Sequence, residues 1–337
     1  RSLEYCAGTN EYVQVDPSLK SQVLELYQSN PEEARKQFGD EPFELKNILQ
    51  NWVRSNHQDF HVIPTDTVYV TIDKEAVRKS GMMMASDSIP DKMVISLKGK
   101  NALYKGDLMM LEMIAQCNWT RPIYVALTVG SENYMNLGDN FVQEGLANRI
   151  TPFTTNKEGA KNFDTEKTYD NVMHKFKFGG IDQQGIYLDE TVTRMCFTHR
   201  RLLAQLALAL AQEGKSDQAK DVLAKCEKEI PAYNVRHDYQ SGSLDLVRTY
   251  AFTGQNQKAQ QILDQLWKKA GQYIVWYCSL DGTWFNNSMH DCMIHIYIMQ
   301  QLLDVQDLVN PKKTEQMEKQ FEGYMRLYQS KGGTFGE

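Results

Sequence analysis

Leu103-Tyr104-Lys105-Gly106-Asp107-Leu108-Met109-Met110-Leu111-Glu112-Met113-Ile114-Ala115-Gln116-Cys117 is the stretch on which the fold turns. From 108 to 117 only Glu112 and Gln116 interrupt the apolar residues, and Asp107 is a residue type that caps helices by accepting a bond from a first-turn N–H. The pattern predicts a helix over 108–117, buried on most sides between a sheet and another layer. Asn118-Trp119-Thr120-Arg121-Pro122 turns the chain, and Ile123-Tyr124-Val125-Ala126-Leu127-Thr128-Val129 follows without alternation. Such a run reads as a central strand covered on both faces.

Upstream, residues 66–73 alternate: Val68, Val70 and Ile72 face one way, Thr67, Tyr69 and Thr71 the other, as in a half-buried strand. Another strand is predicted over 92–97. The connection from there to Pro122 is long enough for a right-handed crossover between parallel strands, giving an α/β core with a mixed or parallel sheet. Helices are expected over 17–28, 31–37 (Ser29-Asn30 offering a cap to Pro31) and 43–54. The methionine run at 81–85 reads as a loop.

Gly130-Ser131-Glu132-Asn133-Tyr134 would lie past the carboxyl end of the central strand, where open α/β sheets bind ligands, although Gly130 and Asn133 equally make an ordinary turn. Residues 138–140 form another turn, 141–153 return to the sheet, 154–167 are polar and turn-like, and 176–185 make an aromatic-containing loop.

From Leu188 helical periodicity takes over. Leu203, Leu206, Ala207, Leu210, Gly214, Ala219, Leu223, Cys226 and Pro231 occupy positions that resemble a tetratricopeptide repeat. Leu246, Val247, Tyr250, Gly254, Ala259, Leu263 and Leu266 fill matching places in a second copy. The glycines are 40 residues apart, so residues 232–239 carry about six residues beyond the usual repeat. Helices over 288–303 and 312–330 would complete the stack, since two repeats alone do not make a stable solenoid. The expected division is an α/β domain at 1–187 and an all-α tetratricopeptide-like domain at 188–337.

The 337 residues suffice for two cores, and 42% hydrophobic with 24% charged residues is a globular composition. A net charge of −6 argues against nucleic acid as a partner. The longest apolar run, 202–211, is too short to span a bilayer. A chain that starts at Arg1 without a signal pattern is expected to be a fragment of a longer protein or a processed chain. Six cysteines (Cys6, Cys117, Cys196, Cys226, Cys278, Cys292) without regular spacing read as small buried hydrophobes.

None of the seven histidines falls in a zincin pattern, and GxSxG, P-loop and GxGxxG motifs are lacking; no metal site and no cofactor is expected. His290-Asp291-Cys292 groups nucleophile chemistry on paper, but neighbours on a helix point different ways. Glu132, Asp139 and Glu144 are carboxylates near the proposed sheet edge, and carboxylate pairs perform acid–base work where they meet.

The run 106–111, the strand motif Asn118-Trp119-Thr120-Arg121-Pro122-Ile123-Tyr124-Val125-Ala126-Leu127-Thr128-Val129, Asn133-Tyr134, Gln143-Glu144-Gly145-Leu146-Ala147 with Arg149, and Tyr187-Leu188-Asp189-Glu190-Thr191 together resemble one family. It comprises large multi-pass membrane proteins of Bacteroidetes-type bacteria related to protein O-mannosyltransferases. Cys117, Val125 and Asn148 stand where the family pattern has Asn, Phe and Tyr. The resemblance implies a periplasmic region following a block of transmembrane helices that would carry the glycosyltransferase machinery. It implies no catalytic residue here, because the acidic base of such enzymes belongs to a loop between membrane helices.

Three functions follow as expectations. The first is a non-catalytic accessory domain that binds acceptor polypeptide or a protein partner through the helical-repeat groove and the sheet edge. The second is a glycan- or small-molecule-binding module at the sheet edge. The third is an independent carboxylate-dependent enzyme using Glu132 and Glu144. The candidate ligand- or partner-facing residues are Trp119, Arg121, Glu132, Asn133, Tyr134 and Glu144.

Overall fold

The structure, a computed structural model, describes residues 12–54, 61–83, 88–154 and 162–334. Cys6, His57, Met84, Ala85 and residues 155–161 of the expected polar turn lie outside the described residues. The chain divides into two compact units, Arg1–Asp164 and Thr165–Glu337. Mixed sheets with helices make the first and helices alone the second, which is the fold class expected from the sequence.

In the first unit β1 (Val13–Val15) is followed by α1 (Leu19–Ser29) and α2 (Pro31–Phe38). Asn30 caps α2 by accepting from the Glu33 N–H at 3.3 Å. Helix α3 (Leu45–Ile48) continues as a π turn, Leu49–Val53. Next come β2 (Val62–Ile63), β3 (Thr67–Thr71), α4 (Lys74–Lys79), β4 (Lys92–Ser96) and β5 (Ala102–Leu103). Strand β1 sits between β2, parallel to it, and β5, antiparallel. Strands β3 and β4 pair antiparallel, so that Val68 and Val70, opposite Ile95 and Met93, enter one core.

Helix α5 (Lys105–Gln116) starts earlier than expected. Tyr104 holds the N-cap position, and Asp107, three residues in, accepts the Tyr104 N–H at 3.1 Å. The helix buries one face, Leu108, Leu111, Ile114 and Ala115, and leaves Met109 and Met113 exposed, so it is not covered on most sides. Methionine's flexible thioether tolerates a surface position, which is why a nearly continuous apolar run did not report burial. Asn118 and Trp119 then adopt left-handed backbone, φ 45° and 58°, costing about 1–2 kcal/mol each. Burial of the Trp119 ring in the core shared with Leu111 and Ile114 opposes that cost.

The expected crossover into a central parallel strand is not formed. Strand β6 (Tyr124–Ala126) lies at the edge of a separate antiparallel sheet with β7 (Phe141–Gln143) and β8 (Ala147–Ile150), in the order β6-β8-β7. Only Val125 of the three β6 residues is buried; Tyr124 and Ala126 are exposed. Tyrosine and alanine counted as apolar in the sequence, yet both are at ease on a surface.

The second unit opens with α6 (Thr165–Asp170), a π turn and a loop, then α7 (Glu190–Gln212), whose cap Asp189 accepts the Val192 N–H at 2.7 Å. Helices α8 (Ser216–Glu229), α9 (Ser243–Phe252), α10 (Asn256–Ser279), α11 (Gly282–Val309) and α12 (Pro311–Ser330) follow. The turns between α7 and α8 and between α9 and α10 are alike. Gly214 and Gly254 are left-handed at φ 78° and 77°, and the next residue's N–H bonds back to Leu210 in one turn and to Tyr250 in the other. Helices α10 and α12 come close at Gly271, where an added Cβ would lie 2.5 Å from the Tyr324 hydroxyl.

Among the described cysteines Cys196, Cys226, Cys278 and Cys292 are buried and Cys117 is half-buried. Burial pushes all five thiols up, Cys292 to about 12. Mass spectrometry after brief alkylation of the native protein should therefore find Cys117 labelled ahead of the other four, and all five labelled in urea.

Candidate functional site

The expected site residues all lie in the first unit. The Trp119 ring is buried, and its indole N–H has no partner among the described residues. Arg121, Glu132 and Asn133 are exposed, and the Asn133 amide donates to Glu132 at 3.2 Å within a single turn of 3-10 helix. Tyr134 packs edge-on against Phe141 and donates its hydroxyl to the Val129 carbonyl at 3.0 Å.

Glu144 is buried with Arg149 at 2.6 Å and accepts the Tyr124 hydroxyl at 2.6 Å. Arg149 also donates to the Met82 carbonyl at 2.9 Å. Burial, then the bond to Glu144, pushes the Tyr124 hydroxyl up to about 12. The three side chains come from β6, the β7–β8 turn and β8, so they tie the small sheet together and bind the 81–83 segment to it. Removing one partner from a buried ion pair strands the other charge. Glu144→Ala should lower stability by about 3–5 kcal/mol, whereas Glu144→Leu with Arg149→Met should cost far less; urea unfolding of the variants reads the difference.

The second unit carries a cleft of about 510 Å³ along the outer face of α10. Its floor is a helical stripe, Gln265, Lys268, Lys269, Gln272, Tyr273 and Trp276, whose three- and four-residue steps put all six on one side. The opposite side of α10 faces the core through Leu263, Leu266, Ala270 and Ile274. Arg236 and His237 form the other wall, and they belong to the extra residues that separate the two helix pairs. A second cleft of about 370 Å³ shares Lys269 and Tyr273 and continues to Tyr277 and to Asp291 and His295 of α11.

Two consecutive arginines of α7 fix that wall. Arg200, 1% exposed, donates to the carbonyls of Ile230 (2.9 Å), Val235 (2.6 Å) and Arg236 (2.9 Å). Arg201 donates from Nε and Nη2 to the Gln240 carbonyl at 3.1 and 2.7 Å. Asp238 forms an ion pair with Lys269, so the wall is also joined to the floor. Arg236 and Lys268 are exposed and have no ion-pair partner among the described residues.

Aromatic rings dominate the far end. Tyr273 stacks on His295 at 4.4 Å with 4° between planes, and Trp276 meets Tyr277 edge-on at 4.7 Å while staying 54% exposed. A large exposed ring beside unpaired cations and amides is the composition of a binding surface, because Trp, Tyr and Arg supply most of the energy where proteins recognise partners. Among the described residues no group of three or more His, Cys, Asp or Glu is placed to hold a metal, and no helix is long and apolar enough to cross a membrane.

The sequence did not single out Arg236, His237, Lys268, Lys269, Tyr273 or Trp276. The signal was present in two parts: extra residues between repeats, and a polar stripe on α10 that ends in tyrosine and tryptophan.

Residues 1–168 of the 337 match a family model, the TMEM260-associated domain 2. The match covers the first unit and the first residues of α6, and it fits the resemblance to membrane proteins related to O-mannosyltransferases. It therefore points to an accessory domain of a glycosyltransferase-like membrane protein. No curated protein and no solved structure matches the chain.

Burial, then the charge of Arg200, depresses His237 to about 4, so the ring is neutral in the folded cleft, with Nδ1 3.1 Å from the Ser243 hydroxyl. The unfolded chain takes up this proton near pH 6.5. The contribution of His237 to stability is complete above that pH, falls as pH drops toward 4, and levels off below. Each pH unit in that window should cost up to about 1.4 kcal/mol, and His237→Gln should flatten that part of the stability–pH profile measured by urea unfolding.

Proposed function

We propose that the chain is a periplasmic, non-catalytic accessory part of a membrane-embedded, glycosyltransferase-like protein and that it holds the acceptor polypeptide in the α10 cleft. The single observation that carries the docking half is the rigidly walled cleft with exposed Trp276 and Tyr273 beside unpaired cations. The family match over residues 1–168 supports the accessory role. The paired helices of the second unit, with their like turns at Gly214 and Gly254, support the expectation of a tetratricopeptide-like groove, an architecture suited to extended peptides.

In this reading the chain contributes position. A polypeptide held beside the membrane raises its local concentration at the transferase, as linked binding modules do. The 337-residue chain should bind a permanently unfolded polypeptide, alkylated with a neutral reagent, in a titration calorimeter. Tyr273→Ala with Trp276→Ala should weaken that binding by about tenfold or more, while Glu132→Ala with Asn133→Ala should leave it unchanged. The converse pattern would move the site to the sheet edge and favour glycan binding there.

A further inference from the structure

The geometry points to a chemical class for what docks: an extended, acidic stretch of polypeptide with an aromatic or large apolar side chain about three to four residues from its carboxylates. This inference rests on the docking reading above and adds charge and spacing to it.

The chain as a whole is negative, at −6, yet the cleft is lined by Arg236, Lys268 and Lys269 and by no carboxylate. Asp238 neutralises Lys269. Arg236 and Lys268 both line the cleft and have no ion-pair partner among the described residues. Two like charges held at one cleft repel, and an anionic guest removes that repulsion while gaining charge-assisted hydrogen bonds.

Spacing follows from the helix. Lys268 and Trp276 are eight positions apart on one face of α10, or about 12 Å at 1.5 Å per residue. An extended peptide advances about 3.3 Å per residue, so a carboxylate at Lys268 and a ring at Trp276 lie three to four residues apart along the guest. Gln272 between them, and Gln265 one turn before Lys268, offer amides that bond to a peptide backbone whatever its sequence.

The cation on the other wall is placed in advance. Arg200 and Arg201 bond to the carbonyls of Val235 and Arg236 within the extra residues and of Ile230 and Gln240 on either side of them, so Arg236 arrives at the cleft without the cost of ordering a loop on binding. The extra residues thus act as the element that sets specificity, and α10 supplies the general grip.

The test is fluorescence polarisation of the full chain with labelled synthetic peptides. One carries two adjacent aspartates and a tryptophan about four residues on; the others replace the aspartates by asparagine or lysine, or place the tryptophan directly beside the aspartates. The aspartate peptide should bind at least about tenfold tighter than the asparagine one at low salt, with the difference shrinking as salt rises. Moving the tryptophan beside the aspartates should weaken binding.

Arg236→Glu with Lys268→Glu, both at exposed positions, should abolish the preference with an unchanged melting temperature. Trp276→Ala should weaken the aspartate and asparagine peptides alike. Equal affinity for aspartate and asparagine peptides would overturn the acidic class and leave the docking reading standing. Binding of none of the peptides would overturn both. Tighter binding of a sulfated oligosaccharide than of any peptide would assign the cleft to an anionic glycan and overturn the inference.

Discussion

A buried guanidinium has to find acceptors, and in this chain Arg200 finds them in three backbone carbonyls of a single loop. That constraint orders much of the second unit. The carbonyls of Ile230, Val235 and Arg236 would otherwise need other partners, because Ile230 and Val235 are almost wholly buried. The planar fork of an arginine reaches several oxygens at once, which a lysine ammonium does not do from a fixed position. Once these bonds form, the extra residues between the helix pairs have one path, Asp238 meets Lys269, and the wall of the cleft stands against α10. Arg201, the next residue, secures the downstream end at Gln240.

The first unit uses the same device on a smaller scale. Arg149 is buried on β8, paired to Glu144 and bonded to the Met82 carbonyl, so a cation again ties a loop to a regular element. In both units desolvation of the buried cation offsets much of its attraction, so its net contribution to stability is smaller than its bonds suggest. The surface ion pairs elsewhere, such as Lys79 with Glu75, are exposed and add little.

Local rules made much of the fold legible. Asn30 caps the helix it was expected to cap, the alternation of residues 67–71 is a strand, and Gly214 and Gly254 end helices in the left-handed conformation. These features depend on a few neighbouring residues, so a sequence reports them directly. What failed depended on partners far along the chain. Asp107 looks the same as an N-cap or three residues inside a capping box, and only Tyr104 decides which. The apolar run of residues 123–129 looks the same at a sheet edge or centre, and pairing with β8 decides that.

The candidate site was legible in half. The extra residues between the repeats stood out from the glycine spacing, but their role required knowing that Arg200 folds them onto α10. The sequence pattern pointed instead to the strand end in the first unit, where Trp119 is buried, Tyr134 and Glu144 bond to neighbouring parts of the unit, and Arg121, Glu132 and Asn133 are exposed. Hydrogen exchange of the full chain with and without a bound unfolded polypeptide separates the two places most directly. Docking in the cleft predicts new protection over residues 231–240 and 265–277, with none over 119–134. Protection confined to 119–134, with the α10 face unchanged, would contradict it.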